Sequence, residues 1–356
     1  MRQLQLSVAG GRKTQSIVDA CAAAPRGRRL LLLTYTLTNQ EALRSRLDAL
    51  GPLSAAVEVQ GWLSFLMIHW IQPYLPLRFE KQRLGGLNFH GDPGQFAKDQ
   101  KRFLDAQSRA YRRHLARLAV DVCEASAAAV IARLARIYDE IHIDEVQDLN
   151  GYDLEVLNVL LDSPIALSLV GDVRQALLST NPQEKKNSQY KGIKIKKWFE
   201  EQERTGRLAV TQSTRTWRCN QAIADFADSI FDKSFGFPPT DSQNTSETGH
   251  DGVFVVARDD AAEYVKEFGA LCLRPGANTA RGVDLPFTNI GVSKGMDVER
   301  VLIWPTGGAT DFLRAGKMLG GIACCSLYVA VTRARASVAF AVDKPEDFPF
   351  PVWPAI

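Results

Sequence analysis

Two apolar runs in this chain end in acid and glutamine. Ile141-His142-Ile143 leads into Asp144-Glu145-Val146-Gln147-Asp148, and the run from Leu167 to Val170 leads into Gly171-Asp172-Val173-Arg174-Gln175. A buried strand that ends in carboxylates can present them to a metal bound to phosphate. A third segment, Ala9-Gly10-Gly11-Arg12-Lys13-Thr14, lies between a predicted strand and a predicted helix. Backbone N–H groups and a helix N-terminus would face an anion there. Phosphoryl transfer needs a phosphate cradle, a lysine, a metal held by a hydroxyl and a carboxylate, a group that orients water, and a cation for developing charge. On that template Ala9 to Thr14 form the cradle and Lys13 reaches the β- and γ-phosphates. Thr14 and Asp144 hold Mg2+, Glu145 polarises the attacking water, and Gln147 and Gln175 sense the γ-phosphate. Taken alone, the loop reads equally as a glycine turn before a helix, because Ser7 and Arg12 stand where G-x-x-x-x-G-K-[ST] has glycine.

The elements that must position these residues follow from pattern. Leu4 to Val8 reads as a strand, Thr14 to Ala24 as a helix, Leu30 to Leu33 as a buried strand and Asn39 to Leu50 as a helix. That order implies a parallel sheet with helices on its faces. Trp62 to Gln72 reads as helical, and Phe103 to Arg136 as a long Ala- and Arg-rich helical stretch. Residues 73–137 are therefore expected to be a mainly helical insertion, after which the sheet resumes at Ile141 and Ile165. Helical spacing would cluster Arg109, Arg112, Arg113 and Arg117 on one face, which is a solvated surface by default and a nucleic-acid-facing strip as the alternative. The lysines from 185 to 197 carry the same two readings.

A second α/β unit is expected to begin near Leu208. Its helices are predicted at 220–231, 261–273 and 319–332, and its strands at 252–257, 301–304 and 338–342. Residues 236–250 read as an exposed loop. Cys324-Cys325 reads as buried helix packing.

A chain of 356 residues can hold two or three domains. Its net charge of +3 neither demands nor excludes a nucleic-acid partner, so local patches must decide. The 6 cysteines form no C-x-x-C pair and only 5 histidines accompany them, which argues against a zinc site. Dispersed cysteines suit a reducing cytoplasm. No charged start precedes an apolar h-region, so no signal peptide is expected, and no apolar run approaches a membrane span.

In order along the chain, the segments resemble the UvrD/Rep-like branch of superfamily 1 DNA helicases. Ala9 to Thr14 is similar to that family's A-G-x-G-K-T loop. Thr34-Tyr35-Thr36-Leu37-Thr38-Asn39 is similar to T-F-T-N, Asp144 to Asp148 to D-E-x-Q-D, and Gly171 to Ala176 to G-D-x-x-Q-[SA]. Thr216-Trp217-Arg218-Cys219 resembles N-Y-R-S, Ser293-Lys294-Gly295-Met296-Asp297 resembles S-K-G-L-E, and Leu327 to Ala334 resembles L-Y-V-A-x-T-R-A.

The resemblance implies an α/β fold of two RecA-like parallel-sheet motor domains of the P-loop NTPase type, residues 1–205 and 206–356, with the helical insertion in the first. It implies ATP and Mg2+ in the interdomain cleft. Trp217 would stack on adenine, Arg218 would contact the γ-phosphate, Gly295 and Asp297 would approach the ribose, and Arg333 would serve as arginine finger. Tyr35, Thr36, Asn39, Gln60 and Trp62 would meet single-stranded DNA or a single/double-strand junction; Trp62 also reads as plain core.

Three departures stand out. An upstream glutamine motif is not expected in the few residues before the loop, which leaves base specificity open. The interval from Arg218 to Gly295 is too short for the large accessory insertion of the second motor domain. Arg12 stands at a glycine position, where it would either distort the loop or add a phosphate contact. The expectation is a cytoplasmic, DNA-stimulated ATP hydrolase that moves on DNA. The rival is a nucleotide-binding regulatory subunit of a DNA-processing or phage-defence complex with a nuclease partner.

Overall fold

The computed structural model describes residues 2–178, 180–181 and 183–354. In chain order the first strands are β1 (Arg2–Ser7), β2 (Arg29–Thr34), β3 (Ala56–Gly61), β4 (Gly86–Asn88), β5 (Arg109–Tyr111), β6 (Glu140–Ile143), β7 (Ala166–Gly171) and β8 (Ala209–Ser213). They are followed by β9 (Arg215–Thr216), β10 (Asp241–Ser242), β11 (Gly252–Ala257), β12 (Leu271–Arg274), β13 (Thr288–Asn289), β14 (Val298–Ile303), β15 (Ala334–Val342) and β16 (Val352–Trp353). Two six-stranded sheets organise them, one in the order β3-β2-β6-β7-β1-β8 and the other β13-β12-β14-β15-β11-β16. This is the α/β architecture of two RecA-like domains. Two-stranded ribbons join β4 with β5 and β9 with β10.

The chain divides into two compact units. One comprises Met1–Gln5, Lys13–Gly171 and Ser179–Thr211; the other comprises Leu6–Arg12, Asp172–Leu178 and Gln212–Ile356. In the first, β2 runs parallel to both β3 and β6. Its four leucines are fully buried, because helices cover both faces of a parallel sheet and leave no polar side. The helix Lys13–Ala23 lays Ile17, Val18 and Cys21 on Leu30, Leu32, Leu43 and Leu47. In the second, β11, β14 and β15 form the centre of a parallel sheet. Tyr264, Cys272, Leu302, Trp304 and Ala339 share its core.

Several elements differ from the sequence reading. The stretch 103–136 is not one long helix. It begins at the end of a short helix (Asp99–Phe103), turns, forms β5 and a 3-10 turn (Arg112–His114), and only then enters the helices Leu115–Ala125 and Ala129–Ile137. The Asp105 carboxylate drives the first break by accepting from the backbone N–H groups of Gln107 and Arg109. The second break falls at Ala127 and Ala128, both left-handed (φ 47° and 65°).

Arg109, Arg112, Arg113 and Arg117 therefore do not share one helix face. Arg109 pairs with Asp105 at 2.8 Å, Arg113 reaches Asp92 at 3.5 Å, Arg112 lies over Phe89, and Arg117 lies between Phe103 and Tyr152. The strand near Leu208 is β8, which lies at an edge of the first sheet. The helix predicted for 261–273 stops at Phe268, because Gly269 turns left-handed and Leu271–Arg274 becomes β12. Trp62–Phe65 continues as a π-helix over Leu66–Ile71.

Cys324 and Cys325 are buried on the helix Ile322–Val331, as expected. All six cysteines are buried and free of disulfides. No helix among the described residues is long and apolar enough to cross a membrane.

Candidate functional site

In the first unit the acids and the start of the helix Lys13–Ala23 come together. Strand pairing sets this: β2 and β6 run in register from Leu30↔Glu140 to Leu33↔Ile143, so Asp144 emerges beside the end of β2 and donates its N–H to the Leu33 carbonyl at 2.8 Å. The Asp144 carboxylate accepts from the Thr14 hydroxyl at 3.1 Å and from the Glu145 N–H at 2.9 Å. Burial and the neighbouring Glu145 carboxylate push Asp144 upward, while Lys13 and the Thr14 hydroxyl pull it back.

Glu145 is held in the left-handed region (φ 55°), a conformation that is costly for a non-glycine residue and collects at functional positions. The Gln147 amide donates to the Glu145 carboxylate. A Cβ at Gly171 would stand 2.5 Å from the Gln147 carbonyl oxygen, so only glycine at the end of β7 leaves the amide its place.

A hydroxyl and a buried carboxylate beside a second acid are hard oxygen donors that fit Mg2+. A cation there would offset the repulsion between the Asp144 and Glu145 carboxylates. No group of three or more metal-ligating side chains occurs among the described residues. Mg2+ held with a nucleotide's phosphates needs only one or two protein ligands.

The second unit contains Ala9 to Arg12, the rest of the loop expected to cradle phosphate. Gly10 is left-handed (φ 72°), and a Cβ on it would meet Arg218 Cβ and Thr216 Oγ1 at 2.6 Å each. The loop is strapped to the segment 216–218: Thr216 Oγ1 donates to the Ala9 carbonyl at 2.8 Å, and the Trp217 N–H donates to the Gly10 carbonyl at 3.2 Å. The Ala9 N–H donates to the Tyr328 hydroxyl at 3.1 Å, which donates onward to Asp172 at 3.2 Å.

Gly11 packs so closely that an added Cβ would stand 2.8 Å from the Val8 carbonyl. Arg12 is left-handed (φ 57°), at a cost of about 1–2 kcal/mol. Its guanidinium lies over the Trp217 ring, 4.3 Å from the centroid, a contact worth about 0.5–1 kcal/mol at an exposed site.

Gln175 and Arg333 also meet. Arg333 is 1% exposed. Its guanidinium donates to Gln175 Oε1 at 3.2 Å, to the Val329 carbonyl at 2.9 Å and to the Met296 carbonyl at 3.2 Å. Gln175 in turn donates to Asp172 at 2.8 Å. Arg218 donates to the Thr332 carbonyl at 2.9 Å and faces Asp297 at 3.7 Å. Asp297, two residues after left-handed Gly295 (φ 93°), also pairs with Arg335 at 2.6 Å. The carboxylate expected at the ribose is thus held between two guanidinium groups.

The residues assigned to nucleic acid are less uniform. The Tyr35 hydroxyl accepts from Arg112 at 2.5 Å. Thr36 caps the helix Leu37–Asp48 by accepting the Asn39 N–H at 3.2 Å. The Gln60 amide lies between Glu58 and His69. Trp62 is 1% exposed and donates its indole N–H to Asp153 at 2.7 Å. This places its ring in the core, with neither face open for a base.

The sequence reading missed Asp153, Tyr328 and Arg174 as organising residues. Arg174 is buried and paired with Asp228 at 2.6 Å and Asp172 at 3.6 Å. Arg174 and Tyr328 sit inside quoted motifs, which was the available signal.

Residues 92–180 match the family model described as UvrD/REP helicase N-terminal domain. Among solved structures, arterivirus nonstructural protein 10 (helicase) in complex with DNA matches 96% of this chain and 60% of its own, at 12% identity and TM-score 0.50. The same helicase alone matches 98% of this chain and 62% of its own, at 12% identity and TM-score 0.48. The PRRSV helicase matches 96% and 52%, at 17% identity and TM-score 0.45. The chain spans about half to three fifths of the length of these structures, and at such identities the likeness is one of fold. No curated protein matches the sequence.

Proposed function

We propose that the chain, whose residues 92–180 match the UvrD/REP helicase N-terminal domain model, is a nucleic-acid motor. On this reading it couples Mg2+-dependent ATP hydrolysis to movement on single-stranded DNA. The observation that carries the reading is the Thr14–Asp144 pair with Glu145 beside it, at the start of one helix and the end of one strand. Thr14 and Asp144 would hold Mg2+, which supplies charge neutralisation at the phosphates. Lys13 would meet the phosphate oxygens, Glu145 would orient water, and Arg218 and Arg333 would answer the developing charge. Trp217 would offer the base a flat face. Tyr35 and Asn39 are the proposed domain 1 contacts to the strand. The helicase–DNA complex among the fold neighbours supports a nucleic-acid substrate.

The test is ATP hydrolysis by the full chain with and without single-stranded DNA, beside Lys13→Ala and Glu145→Gln. Stimulation by DNA that vanishes in both variants is expected. Intact stimulated hydrolysis in either variant would remove these roles.

A second reading, a nucleotide-binding subunit that hydrolyses little ATP and serves a DNA-processing partner, draws support from Arg12. A left-handed arginine stands where the phosphate loop has glycine, and its side chain is engaged with Trp217. A large gain in hydrolysis in Arg12→Gly would favour that reading. Neither the family match nor the fold neighbours point to a nuclease partner.

A further inference from the structure

Trp217 combines two properties that rarely coincide. The residue is 38% exposed although large and apolar. Its backbone is tied to the phosphate loop through Gly10, and the preceding residue is tied through Ala9. The ring is thus held at a fixed offset from an anion-binding loop. A ligand that carries both a flat base and phosphates would use the two together. One face of the ring is already covered: the Arg12 guanidinium carbon lies over it, 4.3 Å from the ring centroid, within cation–π range. A base and the guanidinium cannot share that face.

We propose that Arg12 gates the Trp217 face and leaves it only when phosphate is bound. The inference rests on the nucleotide reading above and adds a selection rule to it. Arg12 immediately precedes Lys13, so a guanidinium that leaves the ring stays within reach of an anion at Lys13. Arginine binds phosphate oxygens through paired, charge-assisted hydrogen bonds that are stronger than an exposed cation–π contact. A polyphosphate therefore draws Arg12 off the ring and uncovers it. A bare nucleoside offers Arg12 nothing and must compete for the face. Base stacking is thereby coupled to the phosphate tail, which favours triphosphates over nucleosides and over unrelated aromatic ligands.

The test reads Trp217 directly. Acrylamide quenching of the full chain, taken as the difference from Trp217→Phe, is measured with and without Mg2+-tripolyphosphate. The variants are Arg12→Gln, which removes the cation and keeps a side chain on the left-handed backbone, and Arg12→Gly, which also relieves that backbone. In the wild type tripolyphosphate should raise the Trp217 quenching constant about twofold or more, as expected for release of one ring face. In Arg12→Gln quenching should already be high and should not respond.

No response in the wild type overturns the gate, and so does an equal response in Arg12→Gln. High basal quenching in Arg12→Gly alone would trace the effect to backbone strain and also overturn it. Calorimetry with Mg2+-ATP separates the two readings. If ATP binds the wild type while tripolyphosphate leaves Trp217 covered, the gate fails and the nucleotide reading stands. If ATP binds none of these proteins, both fail.

Discussion

The Thr14 hydroxyl donates to the Asp144 carboxylate at 3.1 Å, joining residues 130 apart in sequence. The pair ties the first residues of a helix to the end of a central strand; on the proposed reading, in which both hold Mg2+, losing the hydroxyl would weaken metal binding. Thr14→Ala should lower Mg2+-dependent ATP hydrolysis by at least about a hundredfold, in line with several kcal/mol of lost charge stabilisation. Thr14→Ser should stay within a few-fold of the wild type. Steady-state hydrolysis across a Mg2+ titration checks this, and equal losses in both variants would count against a hydroxyl role.

Trp62 and Asp153 make a second prediction. The indole N–H is one of the donors that satisfy a buried carboxylate. Trp62→Phe should destabilise the protein by about 1–3 kcal/mol, the cost of leaving such an acceptor short of a donor. Single-stranded-DNA affinity of the folded variant should not change. Urea unfolding and fluorescence anisotropy with a labelled oligonucleotide separate the two effects. A weakened anisotropy signal at full folding would return Trp62 to the strand path.

Asp153 should also shape the pH dependence of stability. Burial pushes it up to about 6, against donation from Thr180 and Trp62. An acid whose folded value exceeds its unfolded value holds a proton in the folded state that the unfolded chain has released. Stability from this group is therefore greatest at low pH and falls as pH rises from about 4 to about 6. Against Asp153→Asn, the wild type should lose on the order of 2–3 kcal/mol between pH 4 and pH 7. Paired urea midpoints at those two values measure the difference, and parallel curves would show that the carboxyl does not titrate in this window.

Arg174 holds two acids inside the second unit, Asp228 at 2.6 Å and Asp172 at 3.6 Å, and its guanidinium lies over the Tyr328 ring. Removing it leaves buried negative charge uncompensated. Arg174→Ala should cost about 3–5 kcal/mol, read as a lower denaturation midpoint. Arg174→Lys should recover only part, because an ammonium cannot reproduce the planar fork. A near-neutral alanine variant would mean that water reaches these carboxylates.

Legibility in the sequence followed the range of the cause. β2 and β6 could be read because leucine and isoleucine runs mark strands buried on both faces. The loop, the acid cluster and the last motif are local and chemically distinctive, and the structure brings Thr14 to Asp144 and Gln175 to Arg333. The helix breaks in the insertion were not legible. Ala127 and Ala128 have the composition of helix interior, yet both adopt left-handed backbone. Only the turn bonding around them, with Ser126 Oγ donating to the Cys123 carbonyl, shows why. β12 was hidden because Gly269 falls inside an apolar run that reads as one helix. The environment of Trp62 depends on Asp153, 91 positions away, and no local pattern carries such a partner.

The six buried thiols give the molecule a native clock. Burial pushes Cys21, Cys123 and Cys272 up to about 11, so they are both shielded and protonated while folded. Opening would remove both protections at once, because an exposed thiol reacts as thiolate. Cys21 and Cys123 belong to the first unit, and Cys219, Cys272, Cys324 and Cys325 to the second. Pulse alkylation followed by peptide mass analysis would therefore time the breathing of each unit separately, with no label added to the chain.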